Sequence, residues 1–309
     1  GFINNPTVVE ADPLTQAAER DLDNWLFRVF YVANYEAAVQ VQLAVTHRQG
    51  NAPFKIGIFA DGGHRSLASA IVDTLPKFAA GATAEVTYFT TLANLGADWE
   101  KVVNSPNGKP GLVIVAMLPD AAAEAIKAYR KAGYPTPIQS NNSFRRNYIL
   151  AQIGATANGL EGSSVQLVDK GESGEAFLRA FRAATGQLPE MTSSGAYDST
   201  VSLMLAAILA AGNVQQPREV TAAGIREGLT KIGSPAGTKI RPTVDDFVSA
   251  AQLAGQGKPL KYEGAYNPVD WDAAGDMFPP LVHWKVENAR FVESERYDCS
   301  PQKPLCPVK

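Results

Sequence analysis

The sequence predicts an α/β protein built on a doubly wound, mostly parallel sheet, and three observations carry that prediction. Residues 112–115 read Leu-Val-Ile-Val, a short unbroken apolar run of the kind found in strands buried on both faces. Pro119 and Asp120 then open a helix, with proline in the first turn and a carboxylate at the positive end. Along it, Ala122, Ile126, Tyr129 and Gly133 recur at helical spacing and define one small, apolar stripe. Finally, strand and helix patterns alternate through the first two thirds of the chain, which argues for βαβ units. The loops at 117–121 and 139–144 would then leave the carboxyl edge of the sheet, where open α/β sheets bind ligands.

Taken in order, residues 1–24 carry weak, irregular patterns, and 25–30 (WLFRVF) resemble a strand. A helix is expected from Asn34 to about Ala44, capped by Asn34. After the punctuation at 51–53, FKIGIF (54–59) reads as a buried strand that stops at Asp61-Gly62-Gly63-His64, and a helix runs on to about Phe78. Residues 85–90 alternate as a strand, and 98–103 suit a short helix before the unit at 111–142. Gly133 closes the central helix, and Thr136-Pro137-Ile138 starts the next extended segment. An amphipathic segment at 144–153, a strand at 164–168 and an amphipathic helix at 174–185 follow. Residues 196–211 are apolar almost all round, so that helix is expected to be buried. One more helix (220–232) precedes strands at 260–264, 269–271, 281–286 and 290–294. This last third has helices and late strands but no parallel set of its own, so a partner sheet is expected from outside the chain.

Composition excludes more than it assigns. The 309 residues suffice for two domains, and with 45% hydrophobic residues, 19% charged residues and a net charge of −3 nothing favours nucleic acid or an anionic membrane as partner. No stretch reaches the roughly 18 consecutive apolar residues of a spanning helix. His47, His64 and His283 have no metal-ligand spacing, and no cofactor fingerprint, phosphate loop or nucleophile elbow is present. Gly62-Gly63-His64-Arg65-Ser66 offers at most a weak anion nest. Cys299 and Cys306 sit in a proline-rich terminus. A short disulfide loop is favoured there over two solvated thiols, which points to an oxidising compartment.

In this order the motifs resemble those of the periplasmic solute-binding proteins of type I fold, specifically the branched-chain amino-acid (Leu/Ile/Val-binding) group. The likeness rests on FKIGIFADGGHRS, the unit at 111–138 with its AGY turn, IGATANGLEGS, AFRAATGQLPEMTSSGAYDSTVSLMLAAILAAG and YEGAYNPVDWDAAGD. It implies two doubly wound, Rossmann-like lobes, the first incomplete. Residues 1–33 and 192–280 would belong to the first lobe, whose N-terminal sheet is missing, and 34–191 with 281–309 to the second. It implies no enzyme and no cofactor, but capture of a small-molecule solute, an amino acid or similar, by closure of a cleft. The partners implied are an ABC permease in the membrane and the missing part of the first lobe, on the same or another chain. The compartment implied is periplasmic or secreted, lipid-anchored or free. A ligand-sensing regulator on the same fold is the alternative.

The resemblance also nominates residues. Asp61 and His64 follow the strand 54–59, and Arg65 replaces a glycine expected after the position His64 holds. Asn141, Asn142 and Phe144 follow Ile138, offering two amides and an apolar wall. Turn and cap chemistry explains the same two asparagines equally well. Glu161 matches the acid that pairs with a solute ammonium, and a surface glutamate in a turn is the competing reading. Tyr35 is expected to face the cleft, and Tyr197-Asp198 to be structural, with Asp198 near a helix start.

Overall fold

The computed structural model describes residues 25–46, 54–168, 170–212, 219–272, 275–300, 303 and 306. The expectations for 1–24, His47 and 51–53 lie outside them. In chain order the elements are α1 (Ala33–Thr46), β1 (Lys55–Ala60), α2 (Arg65–Phe78), β2 (Thr83–Tyr88), α3 (Leu95–Val103), β3 (Leu112–Ala116), α4 (Pro119–Ala132) and β4 (Ile138–Ser140). Then come α5 (Asn147–Ile153), β5 (Glu161–Val165), α6 (Glu172–Thr185), α7 (Ser193–Ala211), α8 (Ala222–Ile232), β6 (Thr238–Ile240), α9 (Val244–Gly255) and β7 (Leu260–Tyr262). The chain closes with β8 (Leu281–Glu287) and β9 (Arg290–Tyr297).

The chain divides into two compact units. Among the described residues, one contains Val32–Val165 and those from Pro280 onward; the other contains those from 25 to Tyr31 and Gln166–Pro279. The second boundary thus falls at 165/166, where the sequence reading put it near 191. The helix between those points is the reason: Phe177 of α6 packs on Tyr197 of α7 at 5.1 Å between ring centroids, which keeps α6 with the later helices.

The first of these units carries a seven-stranded sheet of order β2-β1-β3-β4-β5-β8-β9. Its first five strands are parallel, while β8 and β9 add antiparallel. Side chains alternate between two cores, as the period of a strand requires. Ile56, Ile58, Leu112 and Ile114 point to the layer of α1 and α2. Phe59, Val113, Val115 and Ile138 point the other way, to Trp99 of α3, Tyr129 of α4 and Ile149 of α5. The helix predicted from Pro119 ends where Gly133 takes a left-handed φ of 71°. The predicted strand at 164–168 begins earlier, at Glu161, because Leu160 and Val286 already join the ladder to β8.

In the other unit, α7 packs with α8 and α9 around a two-stranded parallel sheet, β6-β7. The 25–30 segment forms only an isolated bridge, Arg28 to Asp276, where the two side chains also pair at 3.2 Å. An arginine in an otherwise apolar run is held there by its counter-ion rather than by a ladder. The sequence reading missed α9, although Thr243 caps it, accepting from Asp246 N at 3.3 Å. By length and composition α7 could cross a membrane. It instead buries Asp198, Val201, Ser202, Leu205 and Leu209 against its unit. Two apolar side chains of the same helix, Leu203 and Met204, are 53% and 60% exposed in this chain.

Candidate functional site

Three loops leave the carboxyl edge of the parallel strands as neighbours, after β1, β3 and β4, because register sets Ala60 beside Ala116 and Val115 beside Ser140. Asp61 is the first residue past β1, and its backbone N–H still bonds Ala116 O. Its carboxylate accepts from Gly63 N at 3.0 Å and His64 Nδ1 at 2.7 Å through Oδ1, and from Leu118 N at 2.6 Å through Oδ2. Asp61 therefore caps the short turn Gly62–His64 and ties it to the loop after β3. Burial acts to raise its pKa, but the bonds from His64, Leu118 and Gly63 outweigh it and hold the carboxyl below its ordinary range. The weak anion nest read at 62–66 is filled from within by this carboxylate.

His64 is fixed at both ring nitrogens. With Nδ1 on Asp61, its Nε2 lies 3.2 Å from Ser143 Oγ, in the turn Asn142–Phe144 that follows β4. Arg65, at the position of the expected glycine, lies over the Tyr88 ring at 5.1 Å.

The loop after β4 is held from two sides. Glu36, buried in the first turn of α1, accepts from Asn142 N at 2.7 Å and from Asn142 Nδ2 at 2.9 Å. One turn on, Gln40 donates to Ser140 O at 3.3 Å. At the far end of the loop Arg145 bonds Ser164 Oγ and Val165 O at 2.8 and 3.0 Å and pairs with Glu293 at 2.6 Å. Asn141 is fully buried, and among the described residues neither atom of its side-chain amide has a hydrogen-bond partner.

The nominated residues thus fall into groups. Asp61 and His64 are joined to the loop of Asn141 and Asn142 through Ser143. Tyr35 is the chain neighbour of Glu36, at the start of α1. Phe144 turns inward, fully buried and stacked 5.8 Å from Trp284, because the turn aims it at the α3–α5 core. Glu161 stands apart as well. It opens β5 opposite Gln139, two residues short of the edge position of Asn141. There it meets His283 Nε2 at 3.1 Å and Lys285 at 3.7 Å. Asp198 is structural as expected, but through a different device. It accepts from Tyr262 Oη at 2.9 Å and from Ala265 N and Tyr266 N at 2.8 Å, clasping the 262–266 loop. Sequence reading missed Ser143 and Glu36. A serine three residues beyond a strand and an acid in a helix first turn are ordinary residues until the fold places them beside the same loop.

Cys299 and Cys306 form the expected disulfide, and both are buried. Among the described residues no group of His, Cys, Asp and Glu is placed to hold a metal ion.

No curated protein matches this chain in sequence. Solved structures with the same fold include a leucine binding protein LivK from Thermotoga maritima, 14% identical, with 89% of this chain aligned to 68% of that one at a TM-score of 0.66. A branched-chain amino acid transporter substrate binding protein LivJ from Streptococcus pneumoniae, solved with isoleucine, is 17% identical, covers 92% and 70%, and gives 0.61. A solute binding protein of an ABC transporter from R. palustris, solved with benzoate, is 14% identical, covers 92% and 66%, and gives 0.58. This chain therefore spans about two thirds of the length of the structures it matches. The family model described as periplasmic binding protein matches residues 4–256, most of the chain, and the family's members are solute-binding proteins rather than enzymes. The chain belongs to the periplasmic binding protein family.

Proposed function

We propose that this protein binds a small organic solute, an amino acid or a molecule of similar size, outside the cytoplasm and presents it to an ABC permease for uptake. The observation that carries the reading is the junction of His64 and Ser143, which joins the loops after β1 and β4 at the ligand-binding edge of a parallel sheet. Asn141 adds a buried amide that has no partner among the described residues, next to the same loop. The isoleucine and benzoate of the structural neighbours illustrate the size of solute this fold takes. Closure of two lobes over the solute belongs to the proposal, with binding energy favouring the closed form and no chemical step. The Cys299–Cys306 disulfide favours export over a cytoplasmic sensor, because reducing compartments keep such pairs open.

The proposal includes a further part of the first lobe. Leu203 and Met204 on α7, and Val244 and Val248 on α9, are exposed in the unit whose described residues form the two-stranded sheet β6-β7. Additional first-lobe strands would cover apolar faces of this kind. Calorimetric titration of the purified chain with a panel of amino acids and small organic acids tests the reading. Saturable one-to-one binding by at least one of them is expected, and the absence of heat across the panel would refute it.

A further inference from the structure

We propose that the Cys299–Cys306 disulfide positions the loop after β4. It braces the first turn of α1 from outside, and that turn holds the loop through Glu36. The role of the loop in binding rests on the solute-binding proposal above; the brace itself lies within the unit of the seven-stranded sheet.

Helix α1 packs Ala37, Val41 and Ala44 into the core on one face of the sheet, yet two polar side chains one turn apart, Glu36 and Gln40, are buried in the same helix. A carboxylate is costly to bury unless charge-assisted hydrogen bonds replace its water. Glu36 finds them at Asn142, accepting from the backbone N at 2.7 Å and from Nδ2 at 2.9 Å, and the positive end of the helix favours its charge. Gln40 donates to Ser140 O at 3.3 Å. Both side chains end on residues 140–142, so that stretch follows the first two turns of α1 wherever they sit.

The tail fixes those turns from the other side. Strand β9 ends at Tyr297, which pairs with Leu281 of β8, and Leu281 in turn pairs with Val165 at the end of β5. Cys299 comes two residues after Tyr297 and is therefore anchored to the sheet edge. Its bonded partner Cys306 places Sγ 3.7 Å from the carbonyl oxygen of Tyr35, the residue before Glu36. A bonded sulfur carries no hydrogen, so this is a packing contact, kept in place by the covalent bond to Cys299. Both cysteines are buried, and Cys306 holds a left-handed φ of 49°, which a residue other than glycine rarely adopts unless its surroundings impose it. Helix α1 itself lies against β5 and β8, the two strands between β4 and β9 in the sheet. The connection from sheet edge to loop thus runs through Cys299, Cys306, Tyr35, Glu36 and Asn142. A disulfide that acted only by restricting the unfolded chain would protect alike every amide that exchanges through global unfolding. A brace protects Asn142 selectively.

Backbone hydrogen exchange of the full chain without solute, read by NMR, separates the two. Thr83 N on Phe54 O and Gly111 N on Lys55 O, at the amino end of the parallel strands, serve as references. Cys299→Ser with Cys306→Ser should speed exchange at Asn142 about fivefold more than at the references. Glu36→Gln, which keeps one acceptor oxygen, should speed it about tenfold. Adding the two serines to Glu36→Gln should then change Asn142 less than about twofold, because the brace acts through Glu36. Dithiothreitol should reproduce the serine result in the wild-type chain: the dithiol closes to a cyclic disulfide as two electrons and two protons pass to the sulfurs of Cys299 and Cys306. That arm decides the matter even where the serine variants fold poorly. Equal acceleration at all three amides, or full additivity with Glu36→Gln, would overturn the inference. Calorimetry with the panel of amino acids and small organic acids reads the use of the loop. Cutting the disulfide should weaken whichever probe the wild type binds by about threefold or more, and an unchanged affinity would overturn the link to the site. A wild-type chain that binds none of the panel refutes the solute-binding proposal alone, since exchange at Asn142 is measured without solute.

Discussion

Two kinds of carboxyl group set the response of this protein to pH. Asp198 is fully buried in α7, and desolvation pushes its pKa up to about 6 against the donors from Tyr266, Ala265 and Tyr262. Asp276 is pushed up to about 6 as well, by burial that outweighs its pairing with Arg28. Both values lie above the ordinary carboxyl value of about 3.9. The folded chain thus keeps protons that the unfolded chain has released, and stability falls as pH rises from about 4 through about 6. Asp61 and Glu85 are shifted down and work in the opposite sense, their contribution being lost only as pH falls below about 4. Urea unfolding should therefore need more denaturant at about pH 5 than at about pH 7.5. Asp198→Asn should reduce that difference, and a variant with the full pH slope would show that Asp198 does not supply it. Separately, Asp61→Asn replaces an acceptor of three donors. It should cost on the order of 1.5–3 kcal/mol at neutral pH, read by the same unfolding curves.

Among the elements, β5 shows how a motif can be read at the wrong residue. The Glu161-Gly162 pair drew attention to its acid, yet the glycine is the more constrained of the two. A Cβ on Gly162 would lie 1.9 Å from Ser140 O and 2.6 Å from Trp284 Cζ2, contacts no side chain tolerates. Gly162→Ala should therefore force β5 away from β4 and destabilise by about 1–3 kcal/mol or more. Glu161→Gln should be far milder, and an unchanged melting temperature in Gly162→Ala would refute the packing argument. The comparison also marks what the sequence carries. Strands β1 and β3 and helix α4 were legible because buried parallel strands are largely apolar runs and because Pro119 and Gly133 mark both ends of the helix, and β4 because an extended segment at Thr136-Pro137-Ile138 follows the helix stop. Helix α9 was missed behind the glycines and prolines at 233–242, and the 25–30 run was overread because ladder partners are not written in a strand. At the candidate site, Asp61 and His64 were legible as the loop after a strand. Ser143 and Glu36 were not, because they meet their partners 79 and 106 residues away in sequence. Phe144 was assigned to the site on its loop position, but its direction is set by Trp284, far along the chain.

For the whole molecule, the C-terminal tail gives the simplest test of compartment. Thiol labelling of the native, exported protein in denaturant without reductant should find neither Cys299 nor Cys306, and two labelled thiols would contradict the disulfide. Closing so short a loop contributes about 2–3 kcal/mol in the chain-entropy picture, so Cys306→Ser should lower the melting temperature measurably. Exposed Leu203 and Met204 make a further check. Leu203→Glu with Met204→Glu should leave the stability of this chain within about 0.5 kcal/mol, but should weaken any longer form in which those positions are covered. The pairing of β5 with β8 carries a consequence for synthesis. Residues 166–279, which form the other compact unit, are made between these two neighbouring strands. At about 5–20 residues per second, a ribosome needs on the order of ten seconds to cross that interval. Through it β5 is the open edge of an otherwise assembled parallel sheet, the kind of edge on which chains stick to one another. The nascent protein is most exposed to aggregation in that interval, and the exposure ends only when its last two strands arrive.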